Sequence, residues 1–129
     1  MVKCEVQSRA RTDFVDITRE VAEAVRKLGI EHGAVLVFNP HTTAAVTINE
    51  GADPDVVTDM TRALDRLIPW EDGYDHAEGN AAAHIKASLF GSSVMVMVEN
   101  HQLQLGTWQK IYFCCFDGPR HRQFWVQAV

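Results

Sequence analysis

The run Ala34-Val35-Leu36-Val37-Phe38 constrains the fold more than any other stretch of the chain. It carries no polar side chain, so it reads as a strand buried on both faces. Such a strand needs partners packed above and below it. Asn39-Pro40-His41-Thr42-Thr43 interrupts it, and Ala45-Val46-Thr47-Ile48 resumes as the next strand. A polar segment between two core strands is placed to face a cleft; an ordinary strand-to-strand turn is the alternative.

The rest of the chain supplies the neighbours. Val2, Cys4 and Val6 alternate with Lys3, Glu5 and Gln7, the pattern of a half-buried strand. Phe14-Val15-Asp16 reads as a short second strand. Ile17, Val21, Val25 and Leu28 recur at helical spacing, with Asp16 or Thr18 to cap the start and Gly29 to end the helix in the left-handed region. Val57, Met60, Leu64 and Leu67 give a second amphipathic helix, begun by an Asp53 cap and Pro54 and closed by Pro69. Residues 70–79 form an acidic, glycine-containing loop of a length that is often functional. Asn80 is expected to cap a short third helix, Ala81 to Leu89, ended by Gly91. Strands at Val94–Val98, Leu103–Leu105, Trp108–Phe116 and Gln123–Val126, divided by turns, make an antiparallel meander. There is no repeat, linker or regular βαβ rhythm, so the expected fold is one α+β domain over residues 1–129.

At 129 residues the chain can bury about two-thirds of its unfolded surface and requires no disulfide framework. A net charge of −5 disfavours broad capture of nucleic acid or an anionic membrane, while leaving room for a local cationic pocket. Cys4, Cys114 and Cys115 have no framework spacing and suit reduced thiols. Cys114 and Cys115 point to opposite faces of their strand and read as small buried hydrophobes, a zinc-thiolate or redox pair being the alternative. Met1–Glu5 has no apolar run of a signal peptide, and no stretch approaches the ~20 residues of a membrane span. A soluble cytoplasmic protein is the expectation.

Five groups of residues are candidates for chemistry. His76, Glu78 and His84 offer imidazoles and a carboxylate, which suit zinc or a similar divalent ion, although their spacing matches no established zinc signature. A solvated loop histidine and a helix histidine bonded to a carbonyl are the alternative. His41 follows, beside the hydroxyls of Thr42 and Thr43. Asn49-Glu50 and Asp53 are next, with Asp53 already explained as a helix cap. Gly106-Thr107-Trp108-Gln109 lets backbone N–H groups approach an anion, or else forms a β-bulge with a core tryptophan. Arg120 and Arg122 after Gly118-Pro119 can grip phosphate, or simply be solvated; Lys86 has the same two readings. No nucleophile elbow, Walker loop or dinucleotide fingerprint is present.

Six segments match one family in order: His41-Thr42-Thr43-Ala44; Asn49-Glu50 with Ala52-Asp53-Pro54; Glu78-Gly79-Asn80 with Ala83-His84-Ile85-Lys86; Ser88-Leu89 with Gly91-Ser92-Ser93; Leu105-Gly106-Thr107-Trp108-Gln109 with Ile111-Tyr112; and Phe116-Asp117-Gly118-Pro119-Arg120. From about residue 4 onward the chain resembles the YjbQ family, also known as the secondary thiamine-phosphate synthase family. The resemblance implies a compact α+β domain with antiparallel sheets in a sandwich-like arrangement and two or three short helices. It also implies a homotrimer, a polar pocket near a subunit boundary, and metal in some members. The implied activity joins hydroxymethylpyrimidine diphosphate to thiazole phosphate and releases pyrophosphate, as a secondary reaction beside an unknown main one.

On that basis His41, His76, His84 and Glu78 are the expected catalytic group, with the three histidines as ligands of a divalent zinc or magnesium ion. Thr42, Thr43, Asn49, Glu50, Asn80, Lys86, Gly106, Thr107, Trp108, Gln109 and Arg120 are expected to hold a small phosphorylated molecule. The family pattern commonly has aspartate where Asn80 stands, with an acidic neighbour. Here Ala81 and Ala82 follow, which disfavours magnesium and leaves the histidines intact. The same residues admit a non-catalytic metal- or phosphometabolite-binding protein and a metal-dependent phosphoester hydrolase.

Overall fold

Eight strands and three helices follow one another along the chain, and the computed structural model describes residues 1–129. In order they are β1 (Val2–Gln7), β2 (Asp13–Asp16), α1 (Thr18–Leu28), β3 (Gly33–Phe38), β4 (Ala44–Glu50), α2 (Pro54–Leu67), α3 (Ala81–Phe90), β5 (Ser93–Glu99), β6 (Gln102–Leu103), β7 (Gln109–Cys115) and β8 (His121–Ala128). One sheet has the order β1-β8-β3-β5-β6 and the other β2-β7-β4, all neighbours antiparallel.

The two sheets meet face to face. Val35, Val37, Val96, Phe124 and Val126 of the larger pack with Val46, Ile111, Phe113 and Cys115 of the smaller, and α1 adds Val21, Ala24 and Val25. The other face of the smaller sheet, with Ala45, Tyr112 and Cys114, is covered by Ala83 and Ala87 of α3 and by Val57, Met60 and Leu64 of α2. The layers are therefore sheet, sheet and the pair α2 and α3, with α1 packed into the core between the sheets, the α+β sandwich expected. Cys115 faces one core and Cys114 the other, and neither is paired. Burial pushes the Cys114 thiol far above its usual range, so it stays an inert thiol at neutral pH.

β3 is not enclosed on both sides. Val35 and Val37 are fully buried, but Leu36 and Phe38 are half-buried on an outer face shared with Met95 and Met97, which are 59% and 68% exposed. Its continuous apolar run reflects a hydrophobic outer surface, not a second covering layer. β7 is the strand enclosed on both sides, with Ile111 to Cys115 all buried.

The helix ends follow local chemistry. Gly29 closes α1 at φ 67°, a left-handed value that glycine adopts without strain. Asp16 accepts from the Thr18 N–H at 3.0 Å, although Ile17 occupies the cap position itself. Asp53 caps α2 by accepting from the Asp55 N–H at 2.9 Å. Asn80 stands at the cap position of α3 but makes no capping bond; its Nδ2 is turned to Asp117 instead. No helix is long and apolar enough to cross a membrane.

Candidate functional site

Where β3 ends, the buried Asn39 folds the chain back on itself. Its Nδ2 donates to the carbonyls of His41 (3.0 Å) and Ala44 (2.6 Å), and its Oδ1 accepts from the His41 N–H at 3.1 Å. This clamp holds Pro40 to Thr43 as one wall of a hollow. β8 supplies the floor. Arg122 lies in phase with Phe124 and Val126, on the inward face of an alternating strand, and is only 5% exposed. Its Nη2 donates to Thr43 Oγ1 at 2.7 Å, while its Nε is buried without a partner. No ion pair in the chain includes it.

The turn after β7 adds Asp117 and Arg120. Arg120 donates through Nη2 to Asp117 Oδ2 at 3.1 Å and through Nε to the Asp117 carbonyl at 2.9 Å. Asn80 Nδ2 donates to the same carboxylate oxygen at 2.9 Å, leaving Asn80 Oδ1 buried and unpartnered. His76 and Glu78 come from the long loop and His84 from α3. The two imidazoles meet edge to face with ring centroids 5.2 Å apart. These groups line an open hollow of about 390 Å³ that contains no hydrophobic residue. A second hollow of about 540 Å³ shares His41, Thr42 and His84 with it and extends along Ala44, Ala87, Ser88, Gly91 and Ser92.

His41 is held by the Asn39 side chain at its backbone and by β8 at its ring. Beyond the last β3–β8 pair, the Gln123 N–H of β8 donates to His41 Nε2 at 3.0 Å, so the ring continues the ladder where the strand has left it. Desolvation, and then the Arg122 guanidinium, hold this imidazole below its usual range, so it is neutral at pH 7.

The structure brings together His41, Thr42, Thr43, His76, Glu78, Asn80, His84 and Arg120. It separates the rest. Lys86 is 2% exposed and turned away from the hollow, its Nζ bonded to Asp65 Oδ1 of α2 at 2.8 Å. It lies on the buried side of α3 with Ala82, Ala83 and Ala87, so it cannot offset a phosphate there. Asn49 and Glu50 sit at the far end of β4, where Asn49 donates to Met60 Sδ and Glu50 accepts from the Asp53 N–H. Gly106 to Gln109 form a turn closed by the Gln109 side chain on the Gly106 N–H at 2.8 Å, and Trp108 is 62% exposed rather than in the core. Glu50 pairs with Gln109 and Ala44 with Cys115, so these residues are about 20 Å from the hollow along the ladder.

The expected metal set is likewise not assembled within the chain. No group of three or more His, Cys, Asp or Glu side chains is arranged to hold a metal ion. The physical reason is plain at His41, whose Nε2 lone pair is taken by the Gln123 N–H.

Arg122, expected with Arg120 as a phosphate grip after the turn, does line the hollow, and Asp117 and Asn39 complete the site. Nothing in the spacing marked Asn39 as a clamp or Asp117 as the shared acceptor of Asn80 and Arg120.

Comparison with known proteins agrees with this architecture. The family model described as UPF0047 protein YjbQ-like matches residues 2–129. The UPF0047 protein YugU of Bacillus subtilis is 52% identical over 126 residues, covering 97% of this chain and 96% of the relative. The UPF0047 protein MJ1081 of Methanocaldococcus jannaschii is 41% identical, covering 100% and 94%. A crystal structure of a yjbq/upf0047 family protein from Clostridium acetobutylicum superposes over the whole of both chains with a TM-score of 0.98 at 48% identity. The protein TT1486 of Thermus thermophilus does so at 0.93 and 39%. With likeness extending over nearly every residue in both sequence and fold, the chain belongs to the YjbQ-like UPF0047 family.

Proposed function

We propose that the chain is an enzyme of small phosphorylated metabolites, with a secondary activity that couples hydroxymethylpyrimidine diphosphate to thiazole phosphate. One observation carries this reading: Arg122 is a buried guanidinium with no counter-ion, at the floor of a predominantly polar hollow. An isolated buried charge is costly, and a phosphate oxygen is the partner whose geometry suits it. In the coupling, the carbon–oxygen bond to the diphosphate breaks, the thiazole nitrogen takes the carbon, and pyrophosphate leaves. The protein's task is then positioning and stabilising the charge that gathers on the leaving group. Arg122 would meet that charge, with Thr42 and Thr43 at the rim. The His76–His84 pair would stand beside the reacting atoms. No three-donor His, Cys, Asp or Glu set of the kind a resident zinc ion takes is assembled within the chain, and no step is assigned to a metal.

The competing reading is binding without turnover. It draws on Asp117, whose carboxylate is already satisfied by Arg120 and Asn80 and so is not poised as a free base. The homotrimer belongs to the same proposal, with the apolar outer face around Leu36, Met95 and Met97 as its contact surface.

Calorimetric titration with inorganic pyrophosphate tests the site. Wild type is expected to bind, and Arg122→Met to lose at least about a hundredfold in affinity, the scale of a buried charge-assisted pair. Equal binding by both would refute the reading. Formation of thiamine phosphate from the two precursors then separates turnover from mere binding.

A further inference from the structure

The hydrogen bond at His41 fixes more than the ring's position. The Gln123 N–H donates to Nε2, and a nitrogen that accepts a hydrogen bond carries no hydrogen. In a neutral imidazole the one proton must then sit on Nδ1. The ring is not free to reverse this. Its backbone is clamped on both sides by Asn39, and its edge packs on Phe113 with centroids 6.3 Å apart. The ring borders both hollows, and within the chain its only hydrogen bond is the one at Nε2. An N–H beside a buried guanidinium and a threonine hydroxyl makes a donor array suited to an oxyanion.

We propose that His41 is a neutral, tautomer-locked hydrogen-bond donor, giving Nδ1–H to the anion that Arg122 holds, and is neither a general base nor a metal ligand. The inference rests on the anion-binding reading of the hollow. A base needs a free lone pair, and both nitrogens are committed: Nδ1 bears the proton and Nε2 accepts from β8. Metal binding through Nε2 would require β8 to give up its Gln123 bond. His41 is thus an anion-binding donor, and acid–base work falls to His76 and His84.

Two substitutions separate its structural bond from its ligand bond. His41→Gln reaches as far as Nε2 and can accept from Gln123, but lacks the Nδ1 donor. His41→Asn keeps a donor near Nδ1 and is too short for Gln123. Long-range proton–nitrogen correlation spectra of the full chain at neutral pH are expected to show the Nδ1–H tautomer, with the His41 ring resonances moving on addition of inorganic phosphate. His41→Gln is expected to melt close to wild type yet bind phosphate about tenfold more weakly. His41→Asn is expected to melt earlier and bind phosphate more tightly than His41→Gln. An Nε2–H tautomer or an imidazolium in the free wild-type spectra would overturn the proposal whatever the variants do. So would wild-type phosphate affinity in a folded His41→Gln, or direct shifts of both His41 nitrogens by stoichiometric zinc alone. If wild type bound no phosphate while its spectra showed Nδ1–H, the anion reading would fall and the donor role with it, but the locked tautomer would stand.

Discussion

Arg122 is held in place against its own electrostatics. Replacing a buried charge by an apolar side chain of similar shape is often stabilising, by about 1–4 kcal/mol. Arg122→Met is therefore expected to raise the urea midpoint even as it removes anion binding, a trade between stability and function. A lower midpoint would mean that the Thr43 bond outweighs the burial of charge. His41 gives a second expectation, in pH. Its folded pKa lies below the unfolded value of about 6.5 because burial and Arg122 disfavour the imidazolium. On acidification the unfolded chain takes the proton first. The stability linked to the neutral ring is thus fully present above about pH 6.5 and is lost as pH falls through the lower folded value. Thermal melts of wild type are expected to fall more steeply than those of His41→Gln across that acid range. Parallel curves would remove His41 as the source.

Among the elements, α3 shows how much of the chain was legible and where legibility ended. Its limits could be read, because Gly91 follows a run of helix formers. Its orientation could not. His84 and Lys86 were both expected at the ligand, yet the helix turns Lys86 into the protein and His84 to the hollow. Two residues apart on a helix is about 200° of rotation, and only packing against α2 decides which side is inward. Asp65→Ala would leave the Lys86 ammonium buried alone. Because Asp65 is 60% exposed, the expected loss is about 1–3 kcal/mol, below that of a fully buried pair, with pyrophosphate binding unchanged. The turn after β7 was legible as a turn but not as a hinge of the site. Gly118 packs directly under the Ala10 carbonyl and the Ser8 hydroxyl, so an added Cβ has no room. Gly118→Ala is expected to cost about 1–3 kcal/mol and to loosen the neighbouring Asp117–Arg120 pair, readable as a lower melting temperature. The alternating strands announced themselves by period alone. β3 misled because an apolar run can mean an uncovered face as well as a doubly covered one.

For the whole molecule that uncovered face is the feature with the most direct test. Leu36, Phe38, Met95 and Met97 lie together on the outside of the larger sheet, and Trp125 stacks near Phe38 at 5.7 Å. Contiguous apolar surface of this kind marks association. If copies of the chain assemble through it, Met97→Lys is expected to sediment as a monomer while wild type sediments as a trimer; a wild-type monomer at micromolar concentration would sink the assembly. The strand order has a different consequence, which concerns time. β1 pairs only with β8, and β2 and β4 pair only with β7. At roughly 5–20 residues per second of synthesis, the first strand waits about 6–24 s for its partner. Until residues 109–128 leave the ribosome the smaller sheet has no ladder at all, so β2 and the apolar start of β4 emerge with no strand to pair with. Folding of this chain follows its synthesis instead of accompanying it, and the nascent protein depends most on chaperones just before it is finished.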